Sequence, residues 1–228
     1  MISRPKGAVK IEWSHNFAYA IGLITSDGSV HKDGRHIHFS SKEPELIKNF
    51  KTALNIKSKT TLHARGGEKE KRYLYISFSN KAFHKYLRTI GIMPNKSGSI
   101  RSVAVPQQYF PDFLRGIFDG DGTFYSYRDV RWPNSFGFKT AIASASIPFV
   151  HWLKDTLAKF YGVKGYIHKG AGVYNLEYTK GDSRKVFAVM YHSPNVLFFS
   201  KKYNKIRDAF KEDKTYGILS LQKQRMPW

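Results

Sequence analysis

The sequence contains no cysteine, which excludes disulfide frameworks, thiolate zinc sites and cysteine nucleophiles together. It is also poor in acid: 17 Asp and Glu stand against 38 Lys and Arg, for a formal charge of +21. An excess that large points to a polyanionic partner, nucleic acid being the commonest, or else to charge that serves only solubility. Long apolar runs are missing too. The longest, Phe17 to Ile24, falls far short of the ~20 residues of a membrane span, and no apolar signal stretch follows Met1. A soluble, intracellular protein with no membrane partner is expected, in a prokaryotic cytoplasm or an organelle. What the chain does have is a hydrophobic fraction of 41% with 15% aromatic, which exceeds what a disordered basic tail carries and implies a packed core. Its 228 residues suit one large domain or two of roughly 100.

Self-comparison reveals a repeat. Residues 20–28 read AIGLITSDG and residues 114–122 read LRGIFDGDG, each an apolar helical run that ends in Asp-Gly. Gly22, Asp27 and Gly28 correspond to Gly116, Asp121 and Gly122, 94 positions on. After the first motif, Ser29 to Phe39 reads as a hairpin with a two-residue type I′ turn at Asp33-Gly34. A helix over Pro44 to Leu54 follows, with Leu46, Ile47, Phe50 and Leu54 at helical spacing, matched by Phe149, Val150, Leu153 and Leu157 in the second copy. Strands over Thr61 to Arg65 and Tyr73 to Phe78, joined by Gly66-Gly67, precede a helix from Ala82 to Ile90; Tyr174 to Thr179 and Arg184 to Tyr191 are their later counterparts. The segment from Pro94 to Gln108 lacks a period and reads as a linker, which places the two units at residues 1–105 and 106–228, the second with a basic tail from Tyr203. The expected class is α+β, built as two αββαββα copies.

In the motif helices Ala18, Gly22 and Ser26 lie four apart, as do Gly116 and Gly120, so small residues form one stripe along which two helices can approach closely. Packed about a pseudo-twofold axis, the pair brings Asp27 and Asp121 side by side at one end. Adjacent carboxylates repel unless neutralised, and their hard oxygens suit Mg²⁺ (or Mn²⁺), which can activate water for phosphodiester hydrolysis. The competing reading of one Asp-Gly alone is a helix C-terminal turn with a left-handed glycine; two copies in register argue against it. Asp119 has Thr25 as its counterpart, and reads as a solvated helix-end group or one that supports the site from behind.

With these residues in view, the paired motifs resemble the LAGLIDADG signature, and the chain is similar over nearly its whole length to single-chain, two-motif LAGLIDADG homing endonucleases. The stretch 113–122 is a close match, whereas the first copy has Ala20 for the opening Leu and Thr25 for the first acid. The resemblance implies a monomer with two saddle-shaped antiparallel sheets on double-stranded DNA. It also implies magnesium-dependent cleavage of both strands to leave 3′ overhangs, with Asp27 and Asp121 as the metal-binding catalytic acids. It further implies basic residues near the attacking waters: Lys96, paired with Lys201 or Lys202, and Lys42, whose counterpart is Ala145. For each lysine the alternative is a phosphate contact or a solvated charge.

Strand alternation independently assigns faces. Val30 opposite Ile37 makes one face apolar and leaves Ser29, His31, His36 and His38 on the other; with Leu62, Ala64, Leu74, Ile76 and Phe78 inward, Thr61, His63, Arg65, Tyr73, Tyr75 and Ser77 point outward. In the second copy Thr123, Tyr125, Tyr127 and Lys139 face out, with Asn175 and Glu177 beside them, and the loop from Arg128 to Asn134 extends the contacts or caps the sheet. These groups suit base edges and phosphates, and the two unlike faces imply an asymmetric target. A strand of about eight residues spans ~26 Å, or roughly eight base pairs per sheet. A sequence-specific endonuclease for intron homing is the leading function. An RNA maturase that assists splicing on the same fold is the alternative, and a non-catalytic DNA-binding regulator is a third.

Overall fold

A computed structural model describes residues 9–64, 70, 72–128, 130 and 136–213. Arg65, the Gly66-Gly67 connection, residues 131–134 of the predicted loop and the tail beyond 213 lie outside them. The first half runs α1 (His15–Asp27), β1 (Gly28–Val30), β2 (His36–Ser41), α2 (Pro44–Leu54), β3 (Thr60–His63), β4 (Tyr73–Ser79) and α3 (Lys81–Thr89). The second repeats that order as α4 (Phe110–Asp121), β5 (Gly122–Arg128), β6 (Phe136–Ser144), α5 (Ile147–Tyr161), β7 (Tyr166–Lys169), β8 (Tyr174–Tyr178) and α6 (Lys180–Met190), and ends in α7 (Ser200–Glu212). Each half forms one antiparallel four-stranded sheet, ordered β1-β2-β4-β3 and β5-β6-β8-β7. The class is therefore α+β in two repeated units.

Helix α1 starts where Ser14 accepts a hydrogen bond from the Phe17 amide at 3.1 Å, and every residue from Phe17 to Thr25 is buried. Such all-round burial follows from its position between α2, the first sheet and α4. Gly22 and Gly116 meet at the crossing: a Cβ on Gly22 would lie 2.2 Å from the Phe113 carbonyl oxygen, and one on Gly116 would lie 2.2 Å from that of Tyr19. The predicted small-residue stripe is thus a backbone-on-backbone contact. Aromatic packing closes both ends of the core, with Phe39 stacked on Phe50 at 4.4 Å and Phe124, Phe138, Phe187 and Phe210 clustered under the second sheet.

Several expectations change. The hairpin register is as read, with Val30 opposite Ile37, but its turn is not type I′. Among the described residues the only non-glycine positions with positive φ are Asn55 and Asn95, so Asp33 is not left-handed; its carboxylate instead accepts from the amides of Arg35 and His36 at 3.1 and 3.0 Å. Leu62 is 55% exposed and Ala64 is exposed as well, because β3 is the edge strand and no described helix covers that corner. The segment from Pro94 to Gln108 holds two single 3₁₀ turns, Lys96–Gly98 and Gln107–Tyr109, and buries Ile100 and Val103. Gly28 and Gly122 have extended φ values of −84° and −80°. They are glycines because the strand turns back tightly over the helix: a Cβ on Gly28 would sit 2.6 Å from the Ile24 Cα.

Candidate active site and sheet faces

The motif helices end together, and their last residues open on shared space. Asp27 and Asp121 both line a cavity of about 220 Å³, with Ser26, Lys96, Ser97 and Ser144 among its other walls. Asp27 is half-buried and Asp121 exposed. The two helix ends approach closely, since a Cβ on Gly120 would lie 2.1 Å from Ser26 Oγ and 2.9 Å from Asp27 Oδ2. A neighbouring cavity of about 390 Å³ extends from Asp27 and Lys96 onto the first sheet, where Ser29, His63, Tyr73 and Tyr75 line it.

A helix C-terminus carries unsatisfied carbonyls and partial negative charge, so two such ends beside two carboxylates need cations. Two lysines answer this in matching ways. Lys96 Nζ donates to the Ser26 carbonyl at 3.2 Å, and Lys202 Nζ donates to the carbonyls of Phe118, Asp119 and Gly120 at 2.8, 2.8 and 3.0 Å. Burial pushes the Lys96 pKa down to about 8 against the opposing pull of Asp121 and Asp27. Burial likewise lowers that of Lys202, opposed by Asp119, Asp27 and Asp121. Each cation therefore senses both motif acids. Lys201, by contrast, is exposed and paired with Glu43 at 2.9 Å. Lys42 lies 4.7 Å over the Tyr73 ring and is not a wall of either cavity.

Asp119 is not a solvated helix-end group. It is 1% exposed, accepts from the Tyr19 hydroxyl at 2.7 Å and the Phe199 amide at 2.8 Å, and its Oδ1 has no hydrogen-bond partner among the described residues. Burial raises its pKa to about 6, although Tyr19, Arg115 and Lys202 pull the other way.

On the first sheet Ser29, His38 and Ser77 lie in one cross-strand row and Thr61 lies opposite Tyr75, while His63 stacks on Tyr75 at 4.2 Å. His31 and His36 stand beside His38, at ring separations of 5.2 and 6.3 Å. Burial, together with the charges of these two neighbours, lowers the His38 pKa. Tyr73 pairs with His63, which places the described outward set on one surface. On the second sheet Thr123, Tyr125 and Tyr127 alternate along β5, and Lys139 faces Tyr125. Lys139 is bound to Glu177 at 2.7 Å, and Tyr125 donates to the same carboxylate. Tyr166 and His168, opposite Glu177 and Asn175, complete this face. The sequence reading missed them because β7 is only four residues long and lacks a clear alternation.

Comparison with known proteins places this geometry in a setting. No curated protein sequence matches the chain. Residues 14–91 match the LAGLIDADG-like domain family. Among solved structures, the homing endonuclease I-WcaI bound to its DNA recognition sequence is 14% identical, with 84% of this chain and 86% of that one covered at a TM-score of 0.60. I-DmoI in complex with DNA and Ca is 18% identical, with coverage of 85% and 97% and a TM-score of 0.54. Full-length DUF199/WhiA from Thermatoga maritima is 18% identical, with coverage of 96% and 68% and a TM-score of 0.54. Residues 14–91 thus resemble a LAGLIDADG-like domain, and the chain as a whole has the two-unit fold of these structures.

Proposed function

We propose that the protein is a sequence-specific DNA endonuclease, of the homing type, that hydrolyses both strands of a long asymmetric duplex target and leaves 3′ overhangs. The observation that carries this reading is the convergence of Asp27, Asp121, Lys96 and Lys202 at the joined ends of α1 and α4. The fold of DNA-bound homing endonucleases and the charge of +21 support it.

Two convergent carboxylates beside an open cavity are the donor set that a hard divalent cation takes, one or two carboxylates with water and phosphate oxygens completing the shell. Asp27 and Asp121 would hold Mg²⁺ or Mn²⁺, and such an ion supplies an activated water and a stabilised leaving oxygen. The chain's own residues do the rest. Lys96, its pKa lowered by burial to about 8, stays mostly protonated at neutral pH and offsets charge at the scissile phosphate. Lys202 neutralises the end of α4, so that Asp121 remains compatible with an incoming phosphate. The sheet faces position the duplex on either side, the first through histidine and tyrosine, the second through tyrosine, threonine and lysine.

The test is selection of cut sites from a randomised DNA library in magnesium. A recovered site that is cut on both strands by the wild type, and bound but uncut by Asp121→Asn, supports the proposal. If Asp27→Asn and Asp121→Asn both leave cleavage intact, the site is misassigned. DNA binding without cleavage is the second reading, favoured by the fact that both lysines already cap helix ends. It requires magnesium-independent binding and no nicking.

A further inference from the structure

At the opposite end of the paired helices lies a second cluster that the cleavage reading does not use. His15 is the first residue of α1, Asp112 sits in the first turn of α4, and His192 follows α6. His15 and Asp27 are the two ends of the 13-residue α1, twelve helical steps or roughly 18 Å apart at 1.5 Å each, so the cluster is distinct from the motif acids. The Asp112 carboxylate points one oxygen at each imidazole: Oδ2 is 2.7 Å from His15 Nδ1, and Oδ1 is 3.2 Å from His192 Nε2. Taken one per residue, the nitrogen and oxygen ligand atoms all lie within 4.8 Å of one another.

We propose that His15, Asp112 and His192 form a Zn²⁺ site that ties the first motif helix to the second unit. Two imidazoles and one carboxylate are a recurrent set for zinc, which prefers four ligands and completes them with water. The surroundings fit that role. Asp112 is fully buried, and Arg115 donates to its Oδ1 at 2.6 Å while also donating to the carbonyls of Leu197 and Met190, so the carboxylate cannot swing away. Tyr109 packs edge-on against the His15 ring at 5.6 Å and restrains it. Meanwhile the His15 side chain is 62% exposed, which leaves an entry path and room for the water ligand. Without metal, hydrogen bonds hold the cluster; binding exchanges the protons between the ligands for the ion. The cysteine-free sequence gives thiolate no part in such a site.

The experiment is titration of the chelator-treated full chain with Zn²⁺ against a chromophoric competitor, with thermal unfolding in parallel and Co²⁺ absorption as a spectroscopic reporter. One saturable equivalent is expected, with a raised Tm and a tetrahedral Co²⁺ spectrum. His15→Ala and His192→Ala are each expected to weaken binding more than about 100-fold, since loss of an outer-shell partner alone costs 10–100-fold. The Tm of His15→Ala in chelator should stay close to wild type, because the His15 side chain is largely outside the core. The Asp27→Asn/Asp121→Asn double variant is expected to keep the Zn²⁺ site, which separates this proposal from the fate of the nuclease reading. Absence of saturable binding, unchanged affinity in either histidine variant, or loss of the site in the double variant would each overturn it.

Discussion

The crossing of α1 and α4 offers the sharpest test of how the site is built. Replacing Gly22 with Ala places a Cβ 2.2 Å from the Phe113 carbonyl oxygen and 2.9 Å from the Gly116 Cα, where ordinary contacts begin near 3.4 Å. Both obstacles are backbone, so no side chain can rotate away and the helices must part by roughly 1 Å. Overpacking of this kind costs about 1–3 kcal/mol and sometimes more. Ala recovers about 1 kcal/mol through its better helix propensity, which is too little to cancel a rigid backbone clash. With two rigid backbone clashes the cost sits at the upper end, about 3 kcal/mol gross and about 2 net, and at about 2–4 °C per kcal/mol for a chain of this size Tm falls by about 4–8 °C. Gly116→Ala meets the same geometry from the other side, 2.2 Å from the Tyr19 carbonyl oxygen. Once the helices have separated, the second substitution meets less resistance, so the double variant loses less than the sum of the singles. Differential scanning calorimetry of the three variants measures this, and DNA cleavage, where present, should fall with the same rank as Asp27 and Asp121 move apart. An unchanged or raised Tm in Gly22→Ala would refute the close-packed crossing.

Other outcomes follow from single contacts. Gly120→Ala drives a Cβ against Ser26 and Asp27 at the open end of the pair, so it should reduce cleavage by more than tenfold with a smaller Tm loss than Gly22→Ala; equal loss of both would place the strain in the core instead. Lys202→Met removes the donor to three carbonyls at the end of α4, and leaving such groups buried without a partner costs about 1–3 kcal/mol, read as a lower midpoint in urea. Burial acts to raise the Asp213 pKa, but the hydrogen bonds and charges of Lys180 and Arg184 outweigh it and leave the pKa lowered. Its stabilising contribution is therefore present above the unfolded carboxylate value near 4 and lost as pH falls below it, so Asp213→Asn should flatten the acid limb of a stability–pH curve. If the limb keeps its slope, the pairing of Asp213 with Lys180 and Arg184 does not set it.

What the sequence made legible was whatever repeats locally. Pro44–Leu54 was read to the residue because its apolar positions keep a helical period and Asn55 then adopts the left-handed cap. The shared end of α1 and α4 followed from glycines four apart and one 94-residue offset. Turn chemistry failed where a side chain replaced backbone geometry, as at Asp33, whose carboxylate closes the loop that a type I′ turn was expected to close. Alternation assigned Leu62 correctly by parity yet missed its exposure, since parity cannot say how far a covering helix reaches. The environments of Lys96 and Lys202 were illegible for a related reason: a lysine in a polar stretch looks solvated until the helix end that it caps is in place. The His15–Asp112–His192 cluster joins residues 97 and 80 positions apart, and no spacing rule links them.

The two halves share a scaffold but are not interchangeable, and the first acid of the motif shows why. In the second unit Asp119 is drawn inward, where it accepts from Tyr19 of α1 and from the Phe199 amide just before α7. At the equivalent place the first unit has Thr25, whose hydroxyl donates back to the Ile21 carbonyl of its own helix at 2.8 Å. A carboxylate at both positions would bury two negative charges near the crossing, where Asp119 alone already has its pKa raised to about 6 by burial. Thr25 therefore avoids a second desolvated charge, and the Asp119–Tyr19 bond makes this part of the contact directional. This asymmetry suits a chain in which both units are fused and only one arrangement of them is ever required. Once the interface is directional, each sheet face is free to diverge. That accounts for a first face rich in histidine and a second built on tyrosine and a Lys139–Glu177 pair, carried on strands of the same order.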